Sequence, residues 1–197
     1  MASINIRQLT KETERAINSL ENLAYGAALE NFNHSKNEMV EEFNNHVVTK
    51  EIESGPDGNN ESNTLGGRGN LFSFIGFVIN TDPIEPIRNA LTKNTKLAKK
   101  AYKKHRAGKK VFFSFKVDAP DQQNLDSLAP IPWGSGGSWL RGIETTISGL
   151  GHYIYWKFFP QSRSTTGIQS KTPLRALGFK PIKYMSGILK NFLKKLS

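Results

Sequence analysis

Residues 64–77 read TLGGRGNLFSFIGF, a glycine-rich turn with one arginine that runs straight into Leu71, Phe72, Phe74, Ile75 and Phe77. Such a junction could cradle a phosphate, turn a hairpin corner or meet another subunit. The three readings lead to three kinds of protein. No Gly-Lys-Ser/Thr follows the turn, and Gly66, Gly67 and Gly69 do not complete a G-x-G-x-x-G fingerprint. The aromatic and β-branched run LFSFIGFVI predicts a strand, whereas phosphate loops open a helix whose N-terminus faces the anion. The phosphate reading therefore fails. What stays open is a flexible corner that lets a loop at 55–69 extend, with Leu71–Phe77 as the strand that anchors it.

Upstream, Ala16, Ile17, Leu20, Leu23, Ala24, Ala27 and Ala28 recur at helical spacing behind Thr10 as an N-cap, and Phe32, Met39, Phe43 and Val47 continue the stripe. One long helix is predicted over about 11–44; the capping-box spacing of Ser35 and Glu38 leaves a break near Asn33 as the alternative. Residues 54–68 are turn and loop by composition. Downstream, Asp82-Pro83 starts a short helix through IRNALTK. KNTKLAKKAYKKHRAGKK reads as a basic helix ending near Gly108, with Leu97, Ala101 and Tyr102 facing inward. VFFSFKV (111–117) alternates as a strand, 118–132 is a loop with one helical turn, and a short helix surrounds Trp139. HYIYWKFF (152–159) is a further strand and TTGIQSK a short one. PIKYMSGILKNFLKKLS closes the chain as an amphipathic helix with Ile182, Met185, Leu189, Phe192 and Leu196 on one seam. The fold class is α+β: a long N-terminal helix packed on a small, mostly antiparallel sheet, with a C-terminal amphipathic helix, all in one domain over 1–197.

At 197 residues the chain can bury a core without staples, and it has no cysteine, which excludes disulfides, thiolate metal sites and cysteine nucleophiles. No apolar run reaches the roughly 20 residues that a membrane helix needs, so no membrane partner is expected, and the N-terminus lacks the apolar core of a secretory signal. His34, His46, His105 and His152 lack metal-ligand spacing. Asp118, Asp121, Asp126 and Glu144, like Ser135, Ser138 and Ser164, carry no catalytic pattern. The expectation is a non-enzyme with no cofactor and no metal.

Charge is the stronger signal. Residues 1–62 hold five basic and eleven acidic side chains, a net of −6, and residues 63–197 hold 22 basic and six acidic, a net of +16. Nine basic residues crowd into 93–110: Lys93, Lys96, Lys99, Lys100, Lys103, Lys104, Arg106, Lys109 and Lys110. A solvated helix face or pairing with the acidic front of a neighbouring subunit explains them without a base-reading motif. Phosphate contacts to nucleic acid are the alternative.

Three short patterns in order resemble the neck or tail-completion proteins of tailed bacteriophages. Arg68-Gly69-Asn70-Leu71-Phe72-Ser73-Phe74-Ile75 is similar to the Thr-Gly-Asn-Leu-x-x-Ser-Ile segment of that family, with Arg68 where Thr is usual. Ile143-Glu144 is similar to its aliphatic-Glu step, although Thr145-Thr146 stand in place of an aromatic and Gly. Thr172-Pro173-Leu174-Arg175-Ala176-Leu177 is similar to its Pro-aromatic-Leu-Arg stretch before a closing helix. The segment 93–139 is a longer and more basic insertion than the family pattern. The resemblance implies a structural virion protein assembled in the host cytoplasm, forming a ring, commonly six-fold, between portal and tail. Its partners would be itself, other connector and tail proteins, and genomic DNA passing through the ring. Arg68, Gly69, Asn70, Leu71 and Phe72 would then contact a neighbouring subunit or stacked ring.

Overall fold

A computed structural model describes residues 6–67, 69–108, 110–132, 137–145 and 179–196, with side chains described from residue 12 onward. The chain is α+β. Helix α1 (Ile6–Asn45) is one long helix, as predicted, unbroken through Asn33, and it starts before Thr10, so the predicted cap is not present. The interruption falls at His46, whose Nδ1 accepts the Val48 N–H at 3.2 Å and caps α2 (Val47–Glu53). After a 3-10 turn (Gly55–Asp57) and a loop come α3 (Leu71–Ile75) and α4 (Glu85–Lys93). An antiparallel ribbon of β1 (Lys96–Ala107) and β2 (Lys110–Asp118) follows, then α5 (Gln122–Ser127), α6 (Trp139–Thr145) and α7 (Met185–Leu196). The strands predicted over 152–159 and TTGIQSK, and the motif 172–177, lie outside the described residues.

Two predicted elements changed type. Leu71–Phe77 is not a strand. Asn70 Oδ1 accepts the Ser73 N–H at 2.8 Å, and Gly76, at φ 84°, ends the turn as its amide bonds Phe72 O at 3.1 Å. Every residue of α3 is buried, so its apolar run carries no periodicity to tell helix from strand. The basic stretch, in turn, is not a helix. On a helix, Lys96/Lys100, Lys99/Lys103 and Lys100/Lys104 would repel at i,i+4. As β1 they are dispersed, and the β-prone VFFSF gains a hydrogen-bonded partner.

The core joins the second half of α1 to α2–α7. Phe32 meets Phe192 edge to face at 6.3 Å, and Phe43 stacks on Tyr184 at 5.9 Å, so α7 lays its apolar seam along α1. Lys195 Nζ bonds Glu38 at 2.9 Å and Asn191 bonds Glu42 at 2.8 Å along the rim. Part of the acidic front is thus matched by the basic rear within one chain. No residue of 12–31 and none of the ribbon is buried. The first half of α1 and the ribbon form an arm beyond the core, where Tyr25 meets Phe115 edge on at 5.6 Å.

Candidate functional site

The loop that joins α2 to α3 holds an anion, and the anion is its own. Glu51 is fully buried. Its Oε1 accepts the Leu71 N–H at 2.7 Å and Asn60 Nδ2 at 2.8 Å, and its Oε2 accepts the Ser62 N–H at 2.8 Å. Asn60 Oδ1 in turn takes the Leu65 N–H at 3.0 Å and the Gly67 N–H at 3.2 Å. Gly66, Gly67 and Gly69 sit at φ 61°, 77° and 68°, in the left-handed region that glycine adopts without strain. The amides of Gly67 and Leu71, which a phosphate cradle would present outward, are consumed inside.

Asn70 locks the other side of the loop. While its Oδ1 caps α3, its Nδ2 lies within hydrogen-bond distance of the carbonyls of Gly55 (3.0 Å), Pro56 (2.9 Å) and Gly58 (2.7 Å). The loop is therefore folded onto α2 and does not extend. Asn70, Leu71 and Phe72 are buried within the chain, which corrects their reading as subunit contacts. Gly69 is exposed, and Arg68 lies outside the described residues. Glu144 is also structural: its Oε1 accepts the N–H groups of Tyr184 at 3.0 Å and Ser186 at 2.8 Å, at the entrance of α7. Lys180 N–H to Thr64 O at 3.0 Å and Ile182 N–H to Ile143 O at 3.2 Å bring the same segment onto the loop and α6.

The remaining acids have comparable duties. Asp121 caps α5 through the Asn124 N–H at 2.7 Å, Asp126 accepts Gln122 and Ser138, and Asp118 holds Lys116 at 2.8 Å. An open groove of about 440 Å³ runs between Ile52, Phe72, Ile79 and Pro83. Its two carboxylates, Glu53 and Asp82, both face Arg88. No group of three or more metal-capable side chains exists among the described residues, and no helix among them is long and apolar enough to cross a membrane.

The arm carries the accessible chemistry. Lys96, Lys99, Lys100, Lys103, Lys104, Arg106 and Lys110 are all exposed on the ribbon, and Lys109 lies outside the described residues. Pairing of Lys104 with Phe113, Arg106 with Val111 and Ala101 with Phe115 puts these on the side that meets α1. There Glu21 accepts Lys104 Nζ at 2.5 Å and the Ala101 N–H at 2.9 Å, and these bonds, the lysine first, hold its carboxyl below the usual range. Pairing of Lys103 with Ser114, His105 with Phe112 and Ala107 with Lys110 puts those residues on the outer side. His105 and Phe112 stack there at 6.4 Å. Gly108, at φ 61°, turns the chain at the tip.

Several arm residues escaped sequence reasoning. Tyr102 was expected inside and is 70% exposed, and Phe112 is 52% exposed. Leu20 and Leu23, expected on the inner face of α1, are 50% and 77% exposed. The available signal was the lack of large apolar partners around them: alanine fills most neighbouring stripe positions before Phe32. Compared with known proteins, the chain matches no family model, no curated protein and no solved structure.

Proposed function

We propose that this chain is a structural subunit of a tailed bacteriophage, assembling into a ring at the head–tail junction. The observation that carries this reading is the arm. Leu20 and Leu23 on α1 are large apolar side chains displayed beyond the core. At i,i+3 they are neighbours on one helix face, and exposed apolar surface of this kind marks contact with another protein. The arm and the core of one chain are different surfaces, so an arm seated on the next copy makes a heterologous contact, which closes into a ring when the rotation allows. The ordered resemblance to neck and tail-completion proteins supplies the biological setting. In that setting the partners are further copies, other connector and tail proteins and the DNA in transit. The subunit contact moves from 68–72 to the arm.

Sizing by light scattering and negative-stain imaging test this directly. Purified protein is expected to form closed particles, and the double variant Leu20→Gln/Leu23→Gln is expected to stay monomeric with an unchanged melting midpoint. A strict monomer at the highest soluble concentration overturns the assembly.

A further inference from the structure

We propose that the outer face of the ribbon is a binding surface for single-stranded nucleic acid, with Lys103 and Lys110 on phosphates and Phe112 under a base. The geometry is a lysine–aromatic–lysine ladder. Along the outer face, the Lys103/Ser114 pair, the His105/Phe112 pair and the Ala107/Lys110 pair follow one another. Successive same-face positions on a strand stand about 7 Å apart. One cation therefore lies on each side of a half-exposed aromatic ring that His105 braces from behind. Lys96 and Lys116 continue the positive face toward the root of the ribbon, opposite and beside Asp118. Asp118, held by Lys116 at 2.8 Å, is the carboxylate described on that face. The other lysines of that face are left open to an anion from elsewhere.

An acidic protein surface would satisfy the lysines but offers nothing flat for Phe112. A nucleic-acid strand offers both, because phosphates recur along it and every base has a face to stack. Stacking needs an unpaired base, which favours a single strand over a duplex. This surface is separate from the leucines proposed for assembly, so the inference does not depend on ring formation.

Fluorescence anisotropy with a labelled 20-nucleotide single strand, the matching duplex and polyglutamate as competitor tests it, using the full chain. The single strand is expected to bind more tightly than the duplex, with affinity falling steeply as salt rises. Lys103→Gln/Lys110→Gln should lower the single-strand salt slope by about 1.4, the release expected for two lost phosphate contacts. Phe112→Ala should weaken single-strand binding about tenfold and leave the duplex unchanged, whereas Phe112→Trp retains it. Lys190→Glu, on the exposed back of α7, serves as the charge control and is expected to have little effect. Circular dichroism confirms that each variant is folded, and sizing of the same samples reads assembly separately. Equal binding by the ribbon variants, tighter duplex binding with no effect of Phe112→Ala, or displacement of the strand by polyglutamate at equal charge overturns the proposal.

Discussion

The carboxylate of Glu51 accepts the backbone N–H of Leu71 at 2.7 Å, joining α2 to the first residue of α3 across a separation of 20 positions. With the Ser62 N–H and Asn60 also on this carboxylate, a fully buried acid is bonded, among the described residues, to neutral donors. Removing an acceptor from such a knot strands the donors that face it, and that penalty exceeds the net value of any one bond.

Glu51→Gln keeps the shape but turns one acceptor into a donor aimed at other donors. It is expected to destabilise the protein by about 2–3 kcal/mol, one stranded donor plus a lost charge-assisted bond. Urea unfolding followed by tryptophan fluorescence measures this, and a change within error would mean that water reaches the knot.

Asn70 holds both polarities of its amide in use, so its substitutions should rank in a specific order. Asn70→Ser keeps the α3 cap and loses the donor to the Gly55, Pro56 and Gly58 carbonyls, a cost of about 1–2 kcal/mol. Asn70→Asp also keeps the cap but presents a negative oxygen to those three carbonyls, and it should be worse than serine. Thermal denaturation of the two variants decides this, and an aspartate variant as stable as wild type would contradict the geometry.

His46 gives the fold a pH dependence. Burial against Tyr184, whose ring centroid lies 4.7 Å away, holds the imidazole below its ordinary value. A backbone hydrogen bond with Lys183 and the carboxylates of Glu42 and Glu144 oppose this shift without cancelling it. The folded state therefore binds fewer protons than the unfolded chain. Stability is full above the ordinary histidine value of about 6.5 and is lost as pH falls through it toward the folded value. His46→Asn keeps a side-chain acceptor for the Val48 N–H and removes the titration. Its melting midpoint is expected to stay flatter than that of wild type between about pH 7.5 and 5.5, above the range where carboxylates titrate. Parallel slopes would assign the dependence elsewhere.

Much of the architecture was legible. The apolar stripe from Phe32 to Phe43, the IRNALTK helix and the Met185–Leu196 seam had a period that matched their burial, and the VFFSFKV strand and the helix at Trp139 formed where they were predicted, although Val47, on the predicted stripe, is exposed. Where a period was missing, the reading slipped. The run LFSFI is buried on every side and so reads equally as strand or helix. Asn70 before it and Gly76 after it, set one short turn apart, were the usable sign of a helix. In the basic stretch, the i,i+4 lysine repulsions argued for a ribbon, but Leu97 and Ala101 at helical spacing masked them.

By itself, the sequence determined the class, the absence of thiol chemistry, the bipolar charge and the failure of 64–77 as a nucleotide loop, because each depends on composition or on spacing within a few residues. Only the tertiary structure decided which anion that loop encloses, since Glu51 reaches Leu71 across a separation that no local pattern encodes. It also decided which lysines face α1 and which face outward, because cross-strand register sorts them and register is set by pairing with β2. The glycines of TLGGRGNLFSFIGF close the loop on the chain's own carboxylate, and the exposed lysines of 96–110 lie on the arm.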